Sequence, residues 1–215
     1  MEKDLSHYRK SYEKSELLLS EVPENPMELF QKWFYEIDSH FTEDETNAMT
    51  LATIGLDGFP KSRVVLLKKY TYEGFIFYTN YNSEKGKAIE ANPNVCLSFF
   101  WHGAERQIII KGQAEKISEN LSDGYFESRP RGSQLGALVS YQSDVVLDRQ
   151  SLEKRLLELE AEYEGKEIPR PKHWGGFIVK PVEIEFWQGR PNRLHDRIRY
   201  QLQRDYNWLI NRLSP

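Results

Sequence analysis

Residues Ala48–Lys68 read AMTLATIGLDGFPKSRVVLLK. Met49–Ile54 and Ser62–Lys68 are short runs of apolar and β-branched residues, the side chains that suit a pleated, half-buried surface. Between them, Asp57-Gly58 supplies the positive φ that a tight hairpin turn demands. The same texture continues downstream. Phe75–Thr79, Val95–Trp101 and Gln107–Lys116 read as further strands, and Gly176–Val179, Val182–Trp187, Leu194–Gln203 and Trp208–Leu213 return to it near the end. Many short strands with turn signals and a few peripheral helices indicate an antiparallel barrel of mainly β, α+β class.

The helices are legible from caps and spacing. Asn25 is a natural N-cap ahead of Pro26 at the first helical position, with Glu28 completing a capping-box-like pattern. Leu29, Phe30, Trp33, Phe34 and Ile37 then recur at helical spacing and form one apolar, core-facing side. Further helices are expected at Ser83–Asn92, stopping before Pro93, at Ser118–Phe126, and around Leu152, Leu156, Leu159 and Tyr163. Residues 1–24 are polar and weakly periodic, a flexible arm ahead of a single domain at 25–215.

Composition narrows the class. The chain has 215 residues, 39% hydrophobic and 29% charged, with a formal net charge of −4. That length can bury roughly 70% of the unfolded surface. No apolar run approaches the ~20 residues that span a bilayer, and the charged start Met1-Glu2-Lys3-Asp4 leads into no signal-peptide core. A lone Cys96 excludes an intrachain disulfide framework and fits a reducing compartment, so a cytoplasmic protein is expected. The five histidines show no metal-ligand spacing, and P-loop, GxGxxG and GxSxG motifs are absent. Catalysis, if present, would then rest on a bound cofactor.

Four segments concentrate donors suited to phosphorylated, planar ligands. Arg63-Val64-Val65-Leu66-Leu67-Lys68 reads as a buried strand with cations at both ends, which either meet an anion or reach solvent. Tyr78-Thr79 precedes Ser83-Glu84-Lys85 at a helix start, where backbone N–H groups favour an anion or a plain cap. Tyr125, Arg129 and Ser133 recur every four residues, but Pro130 breaks a continuous helix, so a turn must join two helical pieces. In Arg193–Arg199, strand alternation would put Arg193, His195, Arg197 and Arg199 on one face, either solvated or covered by an anion or partner subunit. Six arginines against two acids after Gly189 make this end locally basic. In an acidic chain that favours a confined anionic ligand over nucleic acid. His195-Asp196 makes a poor hydrolytic dyad, since strand neighbours point to opposite faces.

Taken in order, RVVLLK at Arg63–Lys68, FYTN at Phe77–Asn80, Glu105-Arg106-Gln107, Tyr125-Phe126 with SRPRGSQ at Ser128–Gln134, Gln142-Ser143, Trp174-Gly175-Gly176, and EFWQG at Glu185–Gly189 with RLHDR at Arg193–Arg197 resemble the pyridoxamine/pyridoxine 5′-phosphate oxidase family. The terminal Arg212-Leu213-Ser214-Pro215 is similar to that family's ending, and the resemblance runs from about Arg9. It implies a split β-barrel of FMN-binding type, working as a homodimer with FMN at the interface. By resemblance, Arg63, Val64, Val65, Leu66, Leu67, Lys68, Tyr78, Thr79, Lys85, Gln107, Gln142, Ser143, Trp187 and Arg197 match cofactor positions, some contributed by the second subunit. Lys68, Tyr125, Arg129 and Ser133 match the pocket for the substrate phosphate. Arg193 and His195 match catalytic positions facing the substrate ring, beside Leu194. Arg9 to Tyr12 resemble an N-terminal segment that closes over the site.

The implied reaction is FMN-dependent oxidation of pyridoxamine 5′-phosphate and pyridoxine 5′-phosphate to pyridoxal 5′-phosphate, with O2 as electron acceptor and H2O2 as product. No nucleic acid, membrane or metal takes part. Glu84 departs from the family's usual arginine, so FMN is expected to be held more weakly. Three alternatives are less well matched. A split-barrel flavin reductase would not need Tyr125, Arg129, Ser133, Arg193 and His195 together. A non-catalytic pyridoxal 5′-phosphate carrier would have no use for the flavin set. A nucleic-acid-binding barrel would interleave basic and aromatic residues along one stripe.

Overall fold

The computed structural model describes residues 3–41 and 45–215. Met1 and Glu2, the start of the expected arm, lie outside the described residues. The strands are β1 (Ala48–Ile54), β2 (Pro60–Leu66), β3 (Lys69–Thr71), β4 (Gly74–Asn80), β5 (Asn94–Trp101), β6 (Arg106–Lys116), β7 (Trp174–Gln188), β8 (Asp196–Leu202) and β9 (Trp208–Leu213). The helices are α1 (Pro26–His40), α2 (Glu84–Ala91), α3 (Glu119–Ser128), α4 (Arg131–Val139) and α5 (Arg149–Glu162). The strands pair in the order β2-β1-β5-β6-β7-β4-β3, with β8 on β7 and β9 on β8. The β3–β4, β4–β7, β7–β8 and β8–β9 ladders are antiparallel.

The opening hairpin forms at the expected turn. Gly58 takes φ +82, its N–H donates to Gly55 O at 2.9 Å, and Gly55 N–H donates to Phe59 O at 2.8 Å. The second strand starts and ends two residues earlier than expected, because Lys68 N–H donates to Ile76 O and the chain has by then turned to pair with β4. β2 ends the sheet and is not buried as its composition suggested: Val64 is 68% exposed, and of the RVVLLK run Leu67 alone enters the core.

The chain divides into two compact units. The first holds the described residues of Met1–Thr50 with Leu97–Lys111 and Pro181–Pro215. In it α1 is capped by Asn25, whose side chain accepts from Met27 N–H at 2.9 Å, and buries Leu29, Phe30, Trp33 and Ile37. Phe30 meets Phe99 at 5.4 Å between ring centres, and Trp33 meets Phe186 edge-on at 5.2 Å. Aromatic side chains of this size each contribute about 1.5–3 kcal/mol on full burial, so this face rather than helix propensity holds α1 in place.

The second unit is Leu51–Cys96 with Gly112–Lys180. Its β4–β7 ladder sets Tyr78 opposite Gly176 and Thr79 opposite Gly175. A Cβ on Gly175 would lie 2.2 Å from Tyr81 Oη, and one on Gly176 would lie 2.9 Å from the Tyr78 ring, so the paired glycines make room for those tyrosines. Helices α3, α4 and α5 close their own core around Phe126, Leu135, Val139, Leu159, Ile168 and Trp174.

Three differences from the sequence reading have local causes. Gly176–Val179 and Val182–Trp187 belong to the single strand β7, because Pro181 falls between the ladder with β4, which ends at Val179, and the ladder with β8, which starts at Glu183. No N–H is demanded of it in either ladder. The strand expected from Leu194 begins instead at Asp196, since Pro191–Arg193 forms a 3₁₀ turn with Asn192 at φ +57 and Arg193 at φ +61. Arg193 and His195 therefore do not share a strand face with Arg197 and Arg199. The short strand β3 and helix α4 are additional, although α4 is the second helical piece that Pro130 demanded. Among the described residues no helix is long and apolar enough to cross a membrane.

Candidate functional site

The expected site residues gather into two clusters, one in each unit. In the second unit they line a cavity of about 460 Å³ whose walls include Val64, Val65, Leu66, Lys68, Tyr78, Thr79, Lys85, Tyr125, Arg129, Ser133, Gln142 and Trp174. Among the described residues no carboxylate lines it.

One side of this cavity depends on a helix break. Helix α3 ends at Ser128, Arg129 is extended at φ −74 and ψ 148, and Pro130 is the N-cap of α4. Ser133 N–H donates back to Pro130 O at 2.8 Å, and Gln134 Nε2 donates to Phe126 O at 3.0 Å and Glu127 O at 3.2 Å, clamping the two helices together. The turn thus points Tyr125, Arg129 and Ser133 into one space that also takes Lys68. Arg129 lies 4.5 Å above the Trp174 ring, and its buried Nη1 has no hydrogen-bond partner. Burial pushes its pKa down, with Tyr125 opposing. A buried guanidinium N–H without a partner is costly. The wall behind is aromatic: Tyr78 stacks on Tyr125 at 3.9 Å and on Trp174 at 5.5 Å.

The other side is a cationic cradle. Arg63 Nη1 donates to Thr53 Oγ1 at 2.8 Å and Leu51 O at 3.2 Å, both neutral acceptors, and burial pushes its pKa down with the Glu84 charge opposing. Lys85 Nζ donates to Gln142 Oε1 at 2.7 Å, and Thr79 Oγ1 donates to the same oxygen at 3.3 Å. Burial and then the Arg63 charge push Lys85 down to about 8, against the pull of Glu84. Glu84 acts on both cations through its charge, but its carboxylate pairs directly with Lys61 at 2.5 Å, while its backbone N–H donates to Ser143 Oγ at 3.2 Å. Two cations with hydroxyl and amide groups around them suit a phosphate dianion. Arg63 and Ser143 stand beside the cavity rather than in its wall, and Leu67 packs into the core.

In the first unit, Arg9, Tyr12, Arg193 and His195 line a cavity of about 710 Å³ together with Tyr8, Lys10, Ser11, Arg190 and Asn192. His195 Nδ1 accepts from Arg190 N–H at 3.0 Å, and the ring packs 4.7 Å from Trp187 and 5.8 Å from Tyr12. Burial and then the Arg193 charge lower its pKa, with Asp196 opposing. With Nδ1 occupied as an acceptor, the neutral ring carries its proton on Nε2 and offers a donor there. Trp187 sits opposite Arg197 in the β7–β8 ladder. Arg197 is gripped by Glu185 at 2.7 and 3.0 Å and donates to Ser214 O at 2.8 Å, and the Glu185 bonds raise its pKa. Gln107 is half-buried on β6, and Leu194 is exposed beside the His195 cluster.

Sequence reasoning missed Trp174 as the plate under Arg129 and Gln134 as the clamp between α3 and α4. Trp174-Gly175-Gly176 was the available signal for the first. Nothing local marks the second, since the helix crossing creates its role.

Comparisons with known proteins bear on both clusters. Residues 39–163 match the family model described as pyridoxamine 5′-phosphate oxidase. Residues 174–215 match the one described as the pyridoxine 5′-phosphate oxidase C-terminal dimerisation region. A pyridoxine/pyridoxamine 5′-phosphate oxidase of Flavobacterium psychrophilum is 68% identical over 99% of this chain and 100% of its own length. A relative of the same name from Flavobacterium johnsoniae is 69% identical over 98% of this chain and 99% of its own. Among solved structures, PhzG from Burkholderia lata, in complex with tetrahydrophenazine-1-carboxylic acid, superposes with a TM-score of 0.86 at 30% identity, covering 94% of this chain and 100% of that one. A pyridoxamine 5′-phosphate oxidase-related, FMN binding protein from Nostoc punctiforme has a TM-score of 0.69 at 14% identity over 87% of this chain and 96% of its own, and shows that the fold is the split β-barrel.

Proposed function

Because this chain belongs to the pyridoxamine 5′-phosphate oxidase family, we propose that it is an FMN-dependent oxidase that converts pyridoxamine 5′-phosphate and pyridoxine 5′-phosphate to pyridoxal 5′-phosphate. It works as a homodimer in the cytoplasm, with some flavin contacts supplied by the partner protomer. The observation that carries this reading is the convergence of Lys68, Tyr125, Arg129 and Ser133 on one cavity that, among the described residues, no carboxylate lines.

The cradle of Arg63, Lys85, Thr79 and Ser143 fits the FMN phosphate, because two cations stand there with hydroxyl groups while the nearby Glu84 carboxylate makes its direct ion pair with Lys61. Bound FMN would supply the two-electron chemistry: acceptance of hydride from the 4′ carbon of the substrate, with O2 and two protons giving H2O2 on reoxidation, the alcohol yielding the aldehyde directly and the amine an imine that water hydrolyses to the aldehyde and ammonia. The protein's part is placement and electrostatics. Lys68, Tyr125, Arg129 and Ser133 hold the substrate phosphate, and Arg193 orients the pyridine ring. His195 donates a hydrogen bond from Nε2 and does not act as a base there, because its proton is held on that nitrogen. Trp187 and Tyr12 flank the imidazole.

The test is the visible spectrum of the purified protein without oxygen, before and after pyridoxamine 5′-phosphate is added. Flavin bands should bleach on addition and return in air. Bands that persist would move the substrate elsewhere while keeping a flavin barrel, and a colourless protein that FMN cannot reconstitute would remove the flavin reading.

A further inference from the structure

Glu105 has no role in the reading above, yet it is a buried acid on a strained backbone. Its side chain is 2% exposed and its backbone lies at φ +57, ψ +39, a left-handed conformation few non-glycine residues adopt. A buried carboxylate normally finds a cation or several N–H donors. Glu105 Oε2 accepts from the backbone N–H groups of Glu13 at 2.9 Å and Lys14 at 3.1 Å, and the Lys10 ammonium stands 3.8 Å from Oε1. All three partners belong to the N-terminal segment.

The same residue grips the other side of the His195 cavity through its main chain. Glu105 O accepts from Gly189 N–H at 2.8 Å and from Gln188 Nε2 at 3.2 Å. Its left-handed backbone lets the side chain face one segment while the carbonyl faces the other. Tyr12, adjacent to Glu13, packs directly on Gly189, where a Cβ would lie 2.8 Å from the Tyr12 Cβ, and meets Trp187 edge-on at 5.7 Å. Lys14 Nζ also donates to Gly103 O beside the turn that carries Glu105.

We propose that Glu105 is a positioning residue: it latches the N-terminal segment to the Trp187–His195 loop and so sets Arg9 and Tyr12 as a wall of the substrate site. Glu105 touches neither substrate nor flavin, and acts through the backbone of Glu13 and Lys14. The role in substrate binding rests on the proposed oxidase reading; the latch itself does not.

Two variants attack the latch from opposite sides. Glu105→Gln keeps size and one acceptor but loses the charge, and Glu13→Pro removes one donor at an exposed position while leaving Glu105 intact. Each holoenzyme is treated with trypsin, and cleavage after Arg9, Lys10 and Lys14 is followed by mass spectrometry alongside KM and kcat for pyridoxine 5′-phosphate. Both variants should be cut at these sites about tenfold faster, with KM raised about five- to tenfold and kcat changed less than about twofold, as expected when a charged hydrogen bond to the segment is lost. Unchanged cleavage in both would overturn the latch. Faster cleavage with unchanged KM would overturn the substrate-positioning role. If the wild type does not turn over the substrate, the oxidase reading fails, and the cleavage comparison still decides the latch.

Discussion

Lys85 shows how one residue's surroundings set the chemistry of the cradle. Its folded pKa of about 8 lies below the ordinary 10.5, so in the flavin-free protein it loses its proton as pH rises through about 8. The unfolded chain keeps that proton to higher pH, so between these values the unfolded state binds more protons and the apoprotein gains stability with rising pH. FMN binding has the opposite dependence, because the phosphate prefers the ammonium. FMN affinity should therefore weaken from pH 8 to pH 10 by up to about tenfold per unit, while a Lys85→Arg variant holds steady; fluorescence titration of the flavin measures both. Glu84 is the second residue to test. Its carboxylate is spent on Lys61 rather than on the cradle, so Glu84→Arg should lower the FMN dissociation constant, and an unchanged constant would show that the substitution carries no cost. Lys85 was legible in the sequence as a helix-start cation. Its depressed pKa was not, since its burial, and then the nearness of Arg63, arise only from the tertiary fold.

Elements place these residues by accommodating one another. The β4–β7 ladder brings Tyr78 and Thr79 to the cavity, and it closes because Gly175 and Gly176 leave space for the tyrosines of β4 and its turn. Tyr81 Oη donates to Gly176 O at 3.1 Å, so displacing that ring also breaks a buried hydrogen bond. Gly175→Ala should destabilise the protein by about 1–3 kcal/mol, read as a lower urea midpoint with an unchanged slope. The α3–α4 break works similarly. Pro130 announces it, but only the crossing itself, clamped by Gln134, turns a four-residue spacing that a helix would have aligned into three donors facing one cavity. Failures of the sequence reading at this scale have local causes that alternation does not record: β2 ends at Leu66 where the chain turns to pair with β4, β7 runs on through Pro181 between two ladders, and the turn Pro191–Arg193 delays β8 to Asp196.

For the molecule as a whole, the two clusters make separable predictions. Arg63→Ala should yield protein depleted of FMN, whereas Arg193→Ala should retain FMN and lose turnover; flavin absorbance per chain beside the oxidation rate distinguishes them. Apoprotein from Arg193→Ala would contradict the assignment. The match of residues 174–215 to a dimerisation region leads to the expectation that sedimentation equilibrium gives twice the chain mass of 25.4 kDa. A monomer that still turns over would remove the partner protomer from the site.

The sequence by itself determined the strands, the capped helices, the hairpin at Asp57-Gly58 and the ordered motifs that identify the family, because turn chemistry, caps and periodicity are properties of neighbours along the chain. It also named the cations that line both cavities. Tertiary structure alone decided that Arg63–Leu66 lies on a strand at the end of the sheet, that Arg193 sits in a left-handed turn and His195 just after it rather than on a strand face, and that Glu84 pairs with Lys61. It alone gave Glu105 its partners, 91 and 92 residues away in the chain. The physical reason is the same throughout: burial, charge pairing and hydrogen-bond satisfaction depend on which distant segments pack together, and a residue's own neighbours in sequence carry little record of that.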